Sequence, residues 1–219
     1  MLNIILLGAP GAGKGTQAAN IIKKYKIPHI STGDLFRATL KQDNPISREI
    51  QKYINKGRLV PDKIVISMFK TRVQRPDCRS GFISDGFPRN LFQVKALDGY
   101  LEEINRKIDA VIYLKLSSAE SLKRLTARWL CPSCNRVYNM ITQPPKKDSV
   151  CDCCGVKLIQ RKDDVPETVK RRLAIYKKET FPILAYYSKQ KKLLTIDANA
   201  QVAVVSNRIK SALKKAKNS

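Results

Sequence analysis

Five short stretches, Leu2 to Leu7, Ile27 to Ile30, Phe82 to Ser84, Ala110 to Leu114 and Leu193 to Ile196, are largely apolar and lack the alternation of a half-buried strand. Runs of this kind suit strands covered on both faces of a parallel sheet. Helical periodicity fills the intervals, so the pattern predicts a doubly wound α/β core of five parallel strands, with ligands bound beyond their carboxyl ends. Two intervals differ from the rest. Ser31 to Val60 is helical and basic and opens with the cap-like Ser31-Thr32-Gly33-Asp34. Arg128 to Asp164 loses helical periodicity and gathers Pro132, Pro144, Pro145 and five cysteines, which reads as a small separate lobe. The expected organisation is a core at 1–30, 61–127 and 165–219, a helical insert at 31–60 and a lobe at 128–164. The basic tail from Ser211 reads as frayed or helical, and no internal repeat is seen.

A chain of 219 residues buries roughly 70% of its unfolded surface, enough for one core with a small insert. No signal peptide or bilayer-length apolar run is evident, which places the protein in the cytoplasm, where cysteines serve as metal ligands or reduced thiols. The 42 basic residues against 18 acidic give a net charge of +24, which favours anionic partners. The lysines are spread along the chain, so a solvated surface accounts for most of them.

The charge acquires a purpose at Gly8-Ala9-Pro10-Gly11-Ala12-Gly13-Lys14-Gly15-Thr16, directly after the first apolar run. Glycines there let successive N–H groups approach a polyphosphate, the following helix adds its positive end, and Lys14 can reach the transferred phosphoryl group. The strict phosphate-loop pattern breaks at Gly15, where a hydroxyl would hold Mg²⁺. The hydroxyl comes one residue later, as Thr16.

Cys131-Pro132-Ser133-Cys134 and Cys151-Asp152-Cys153-Cys154 form two C-x₂-C units separated by sixteen residues, a zinc spacing. Each unit must turn sharply after its second cysteine, and the followers Asn135 and Gly155 tolerate left-handed backbone best. That choice makes Cys131, Cys134, Cys151 and Cys154 the ligands and leaves Cys153 spare. Four thiolates close a tetrahedral site, so the metal would be structural. Cys78 reads as a core thiol.

At this point the sequence resembles the adenylate kinases of the bacterial type with a long zinc-bearing lid. The loop at Gly8 to Thr16 is similar to that family's variant phosphate loop. Asp85-Gly86-Phe87-Pro88-Arg89 resembles its second signature, and Arg161-Lys162-Asp163-Asp164 with Glu167-Thr168-Val169 and Arg172 its third. The resemblance implies a P-loop core, an AMP-binding insert at 31–60 and a lid at 128–164 that closes over ATP. It implies the reaction Mg·ATP + AMP ⇌ 2 ADP, with Mg²⁺ and structural Zn²⁺ as metals and a monomer as the working form. By resemblance, Gly11, Ala12, Gly13, Lys14, Gly15, Thr16 and Arg128 meet ATP, with Val137 and Tyr138 where the lid covers its base. Thr32, Arg37, Arg89 and Gln93 hold AMP, and Gly57, Arg58, Leu59, Val60 and Gly86 to Pro88 lie about its base. Lys14, Arg124, Arg128, Arg161 and Arg172 surround the transferring phosphoryl, the last two also facing AMP. Ala198-Asn199-Ala200 departs from the family's usual glycine and longer polar residue near the adenine, leaving Ala200 as the ATP contact there.

The chemistry of the residues points the same way, because phosphoryl transfer needs in-line placement and charge neutralisation more than a strong acid or base. A helix expected from Ser118 to Ala127 would set Arg124 and Arg128 on one face, two forks on one polyphosphate. Asp85 ends an apolar strand, where it could hold a water of Mg²⁺ or cap the next turn. His29 and Trp129 read as structural. Two alternatives stay open: a GTP-using or UMP/CMP-accepting relative, and a zinc-ribbon nucleic-acid-binding protein. The motifs favour ATP, AMP and ADP as partners, without specific nucleic acid or a membrane.

Overall fold

The computed structural model describes residues 1–217. Its main sheet is parallel and five-stranded, made of β1 (Leu2–Gly8), β2 (His29–Ser31), β3 (Gly81–Asp85), β4 (Ala110–Lys115) and β8 (Leu193–Asp197) in the order β2-β3-β1-β4-β8. Ile4 to Leu7 are at most 3% exposed, the condition of a central strand covered on both faces. The intervening helices are α1 (Lys14–Tyr25), α2 (Thr32–Thr39), α3 (Pro45–Ile54), α4 (Asp62–Val73), α5 (Leu91–Glu103) and α6 (Ser118–Thr126). Late in the chain come α7 (Pro166–Ile175), α8 (Pro182–Lys189) and α9 (Val202–Lys217), the first two joined by a π-helical turn, Tyr176–Thr180. The basic tail is thus helical through Lys217. After β3 the chain crosses β1 to reach β4, and the phosphate loop stands at that switch, where such sheets bind ligands. Among the described residues no helix is long and apolar enough to cross a membrane.

The stretch 31–60 is helical because both helices carry explicit start signals. The Ser31 side chain caps α2 by accepting from the Asp34 N–H, and Asn44 and Ser47 cap α3 reciprocally ahead of Pro45. Its buried side chains, Phe36, Ile50 and Val60, join the same apolar cluster as Phe69, Phe82 and Phe87. The stretch 128–160 instead builds a three-stranded antiparallel sheet, β6 (Val137–Asn139), β5 (Arg128–Leu130) and β7 (Ile159–Gln160), over a small cluster of Cys131, Tyr138, Cys151 and Leu158 with Trp129.

One expected element is shorter than its periodicity suggests. Helix α6 ends at Thr126, with Ala127 at φ −90°, ψ 4°, and Arg128 opens β5 opposite Asn139. The Ala127 carbonyl accepts from Met140 N–H at 2.9 Å, so pairing with the lobe replaces another helical turn. Arg124 and Arg128 therefore do not share a helix face.

Candidate active site and metal centre

The phosphate loop leaves β1 and enters α1 through Gly13 at φ 85°, a left-handed cap that a side chain would strain. Gly11, Ala12, Gly13, Gly15 and Thr16 line this turn at the positive end of α1, and the Thr16 side chain lies in an exposed residue. Lys14 folds back so that Nζ donates to the Gly8 and Ala9 carbonyls at 2.9 and 3.2 Å. Burial brings its pKa down to about 8; Asp85 opposes the shift, while Arg89, Arg172 and Arg128 add to it. Asp85, Arg89, Arg172 and Arg128 thus lie near Lys14 at the carboxyl end of the sheet, where the strands and the phosphate loop frame a crevice.

Asp85 ends β3, its carboxylate facing the crevice. His29 has a partner that its sequence surroundings did not suggest: Nε2 stands 3.4 Å from Asp85 Oδ2, because β2 and β3 are neighbours. Burial pushes the Asp85 carboxyl up, but contact with His29 and the charges of Lys14 and Arg89 outweigh it and hold the group below its ordinary value. Thr32 is buried beside this strand end, with Oγ1 3.5 Å from the Asp85 carbonyl. Gly86 follows at φ 82°, where a Cβ would come within 2.6 Å of Thr32 Oγ1.

The arginines fall into two groups. Arg128 donates through Nε and Nη2 to the fully buried Asp164 at 2.7 and 2.5 Å, and Arg172 Nη1 reaches Asp164 at 3.1 Å and Asp163 Oδ2 at 2.9 Å. A single buried carboxylate thus ties β5 to α7. Arg89 and Arg161 show no carboxylate at ion-pair distance among the described residues. Burial and then the neighbouring Arg172 lower Arg89; burial and then Arg128 and Arg37 lower Arg161 to about 10. Arg89 Nε is aimed by the Gly86 carbonyl at 2.7 Å, and its backbone N–H donates to Gln93 Oε1. Arg37 is exposed and pairs with Asp34, one helical turn away. Arg58 is exposed, Leu59 half-buried, and Val60, Phe87 and Pro88 are buried.

Two sequence expectations change here. Arg124 turns from the other arginines: Nε donates to Glu120 at 2.8 Å and Nη2 to the Ala198 carbonyl at 3.0 Å, beside the bend that carries Ala200. Tyr138, expected over the ATP base, is 4% exposed. Its hydroxyl accepts from the Asp152 N–H at 2.8 Å and stands 3.4 Å from Cys151 Sγ, because strand alternation turns Val137 outward and Tyr138 toward the cysteines.

Cys131, Cys134, Cys151 and Cys154 bring their sulfurs within 4.8 Å of one another. The contacts Cys131–Cys154, Cys134–Cys151 and Cys151–Cys154 are 3.2, 3.6 and 3.6 Å, close to the edge of about 3.8 Å that zinc–sulfur bonds of about 2.3 Å give a tetrahedron. The donor set therefore fits a divalent metal. Both units turn alike: Asn135 and Gly155 have φ 58° and 67°, and their N–H groups return to the carbonyls of Cys131 and Cys151 at 3.0 and 2.9 Å. Cys153 lies outside the cluster. The Tyr138 hydroxyl is the main influence bringing the Cys151 thiol down to about 6.

Three groups escaped the sequence reading. Asp164 and Asp163 sit within the quoted third motif, where a carboxylate pair between arginines was the available signal. Asp62, which holds Gln93, gave no local signal.

These features can be set against known proteins. The adenylate kinase family model matches residues 6–192. An adenylate kinase of Syntrophobacter fumaroxidans is 48% identical over 97% of this chain and all of that protein. One from Archaeoglobus fulgidus is 46% identical over 99% of this chain, and one from Brevibacillus brevis 46% identical over 97%, each matched along its full length. With its phosphate loop, parallel core and arginine-lined crevice, the chain belongs to the adenylate kinase family.

Proposed function

We propose that the protein transfers the γ-phosphoryl group of Mg·ATP reversibly to AMP, giving two ADP. The observation that carries this reading is a charge deficit: Lys14 neighbours Arg89, Arg172 and Arg128, and Arg128 in turn neighbours Arg161. Lys14, Arg89 and Arg161 have no carboxylate at ion-pair distance among the described residues, while burial lowers all three pKa values. Two nucleotides placed phosphate to phosphate supply the missing negative charge.

In this reading the N–H groups of Gly11 to Thr16 and the positive end of α1 cradle the ATP phosphates. Asp85 would accept from the water shell of the Mg²⁺ that accompanies ATP, an ion that would offset charge on the phosphates. Arg89, with Thr32 and Arg37, holds the AMP phosphate in line for attack, and Gly57 to Val60 and Gln93 surround the AMP base. Arg128 and Arg172, fixed through Asp164, face the transferring group with Arg161. No strong base is needed, since the accepting phosphate oxygen already carries charge. The insert at 31–60 closes on AMP and the lobe at 128–164 on ATP, excluding water. Zn²⁺ bound by Cys131, Cys134, Cys151 and Cys154 has no open position, so it stiffens the lobe. A site completed within one chain fits a monomer, and thiolate ligands fit the reducing cytoplasm.

The test is a panel of AMP, UMP, CMP and GMP with ATP, with and without Mg²⁺. ADP formation that needs Mg²⁺ and favours AMP is expected. Equal turnover of UMP removes the adenylate assignment and leaves a nucleoside monophosphate kinase.

A further inference from the structure

Gln93 is 1% exposed, and its side-chain amide is held at both ends. Oε1 accepts the Arg89 N–H at 2.7 Å, and Nε2 donates to Asp62 Oδ1 at 2.7 Å. A backbone N–H only donates and a carboxylate only accepts. The amide therefore has one orientation, since turning it over would set NH₂ against N–H and oxygen against carboxylate. Each end keeps one bond to offer: a lone pair on Oε1 and one N–H on Nε2. An acceptor beside a donor complements the 6-amino purine edge, where N6 donates and N1 accepts. It opposes the 6-oxo purine edge, where O6 accepts and N1–H donates. A freely turning glutamine would serve both edges.

We propose that Asp62 is a specificity-determining, positioning residue that excludes 6-oxopurine monophosphates by fixing the Gln93 amide. The inference rests on the reading that Gln93 faces the AMP base. Asp62 is well anchored for the task. It lies in the first turn of α4, and its carboxylate also accepts from Asn90 Nδ2, at 3.1 and 3.3 Å. Asn90 caps α5 by accepting the Gln93 N–H at 2.8 Å, so one carboxylate joins the starts of two helices and sets both the backbone and the amide of Gln93. Rejection by unpaired or opposed hydrogen-bonding groups discriminates far more strongly than a difference in shape.

The experiment measures kcat/KM for AMP and for IMP, with melting temperature, in the wild type, Asp62→Ala, Asp62→Asn and Gln93→Ala. Asp62→Ala should lower the AMP:IMP ratio about tenfold or more, whereas Asp62→Asn, which keeps an accepting oxygen in place, should hold it within about threefold. If Asp62→Ala does not fold, Asp62→Ser carries the same arm, since its hydroxyl is too short to reach Gln93. A purely structural role would depress both substrates together and leave the ratio unchanged, which overturns the proposal. A ratio as low in Asp62→Asn as in Asp62→Ala also overturns it. An unchanged ratio in Gln93→Ala overturns the underlying reading of Gln93. A ratio that collapses in Gln93→Ala and holds in Asp62→Ala overturns the role of Asp62 alone.

Discussion

At Lys14 burial and the neighbouring arginines work against a cation that the phosphate loop requires, and bring its pKa from 10.5 down to about 8. In the free enzyme the ammonium persists below that pH and is lost above it. Bound nucleotide phosphates add negative charge, which favours the ammonium and moves its titration upward. The expected profile for kcat/KM with ATP therefore falls above pH 8, while kcat at saturation stays level further into the alkaline range. Coincident alkaline limbs would remove Lys14 from the pH dependence. The stability linkage has the matching sign: the unfolded lysine keeps its proton to near 10.5, so the buried charge opposes folding at neutral pH, and that penalty fades between about pH 8 and 10.5. Deleting the charge in Lys14→Met should lower kcat/KM by about 10²-fold or more. Lys14 is legible in the sequence because glycine loop, lysine and helix start are contiguous. The Asp62–Gln93 contact spans thirty-one residues and the His29–Asp85 contact depends on strand order, so neither has a periodic signature.

At the scale of elements, what was legible followed from local rules. The five strands of the main sheet announced themselves by largely apolar runs without alternation, and the two cysteine knuckles by a C-x₂-C unit followed by a residue suited to positive φ. What was not legible depended on which neighbour wins a boundary: α6 yields to β5 because Ala127 pairs with Met140, and Tyr138 turns inward because β6 alternates. The lobe's buried cluster contains two cysteines among its four members, so a metal held by the four thiolates would supply much of its cohesion. Cys153→Ser should leave metal content and melting temperature nearly unchanged. Cys154→Ser should lower both while activity well below the melt falls only modestly, since an ion closed in by four thiolates would have no position left for a phosphate. Metal loss in Cys153→Ser with retention in Cys154→Ser would reassign the fourth ligand. Tyr138 adds a subtler case. Its oxygen is taken up by the Asp152 N–H, leaving its proton for Cys151 Sγ. Tyr138→Phe should release Zn²⁺ to a chelator about tenfold faster, the scale of lost outer hydrogen bonds to metal ligands; an unchanged release rate would make the tyrosine a packing residue only.

For the whole molecule the governing quantity is the net charge of +24. A crevice short of negative charge explains only its few buried cations. Most lysines are exposed, and arginine makes most of the ion pairs, including those with Asp164, Glu120 and Asp77. A surplus spread over the surface destabilises the compact state by self-repulsion, which salt screens as the Debye length shrinks from about 30 Å at 0.01 M to about 8 Å at 0.15 M. The melting temperature should therefore rise over that range of NaCl. Were surface ion pairs the dominant electrostatic contribution, the same salt would weaken them and the melting temperature would fall. Anion binding in the crevice would also give a rise, so the titration is repeated with saturating ADP, which fills the crevice and stabilises the fold in its own right. A salt-dependent rise that survives ADP belongs to the surface; one that disappears belongs to the site, and the lysine surplus is then already balanced by its surroundings.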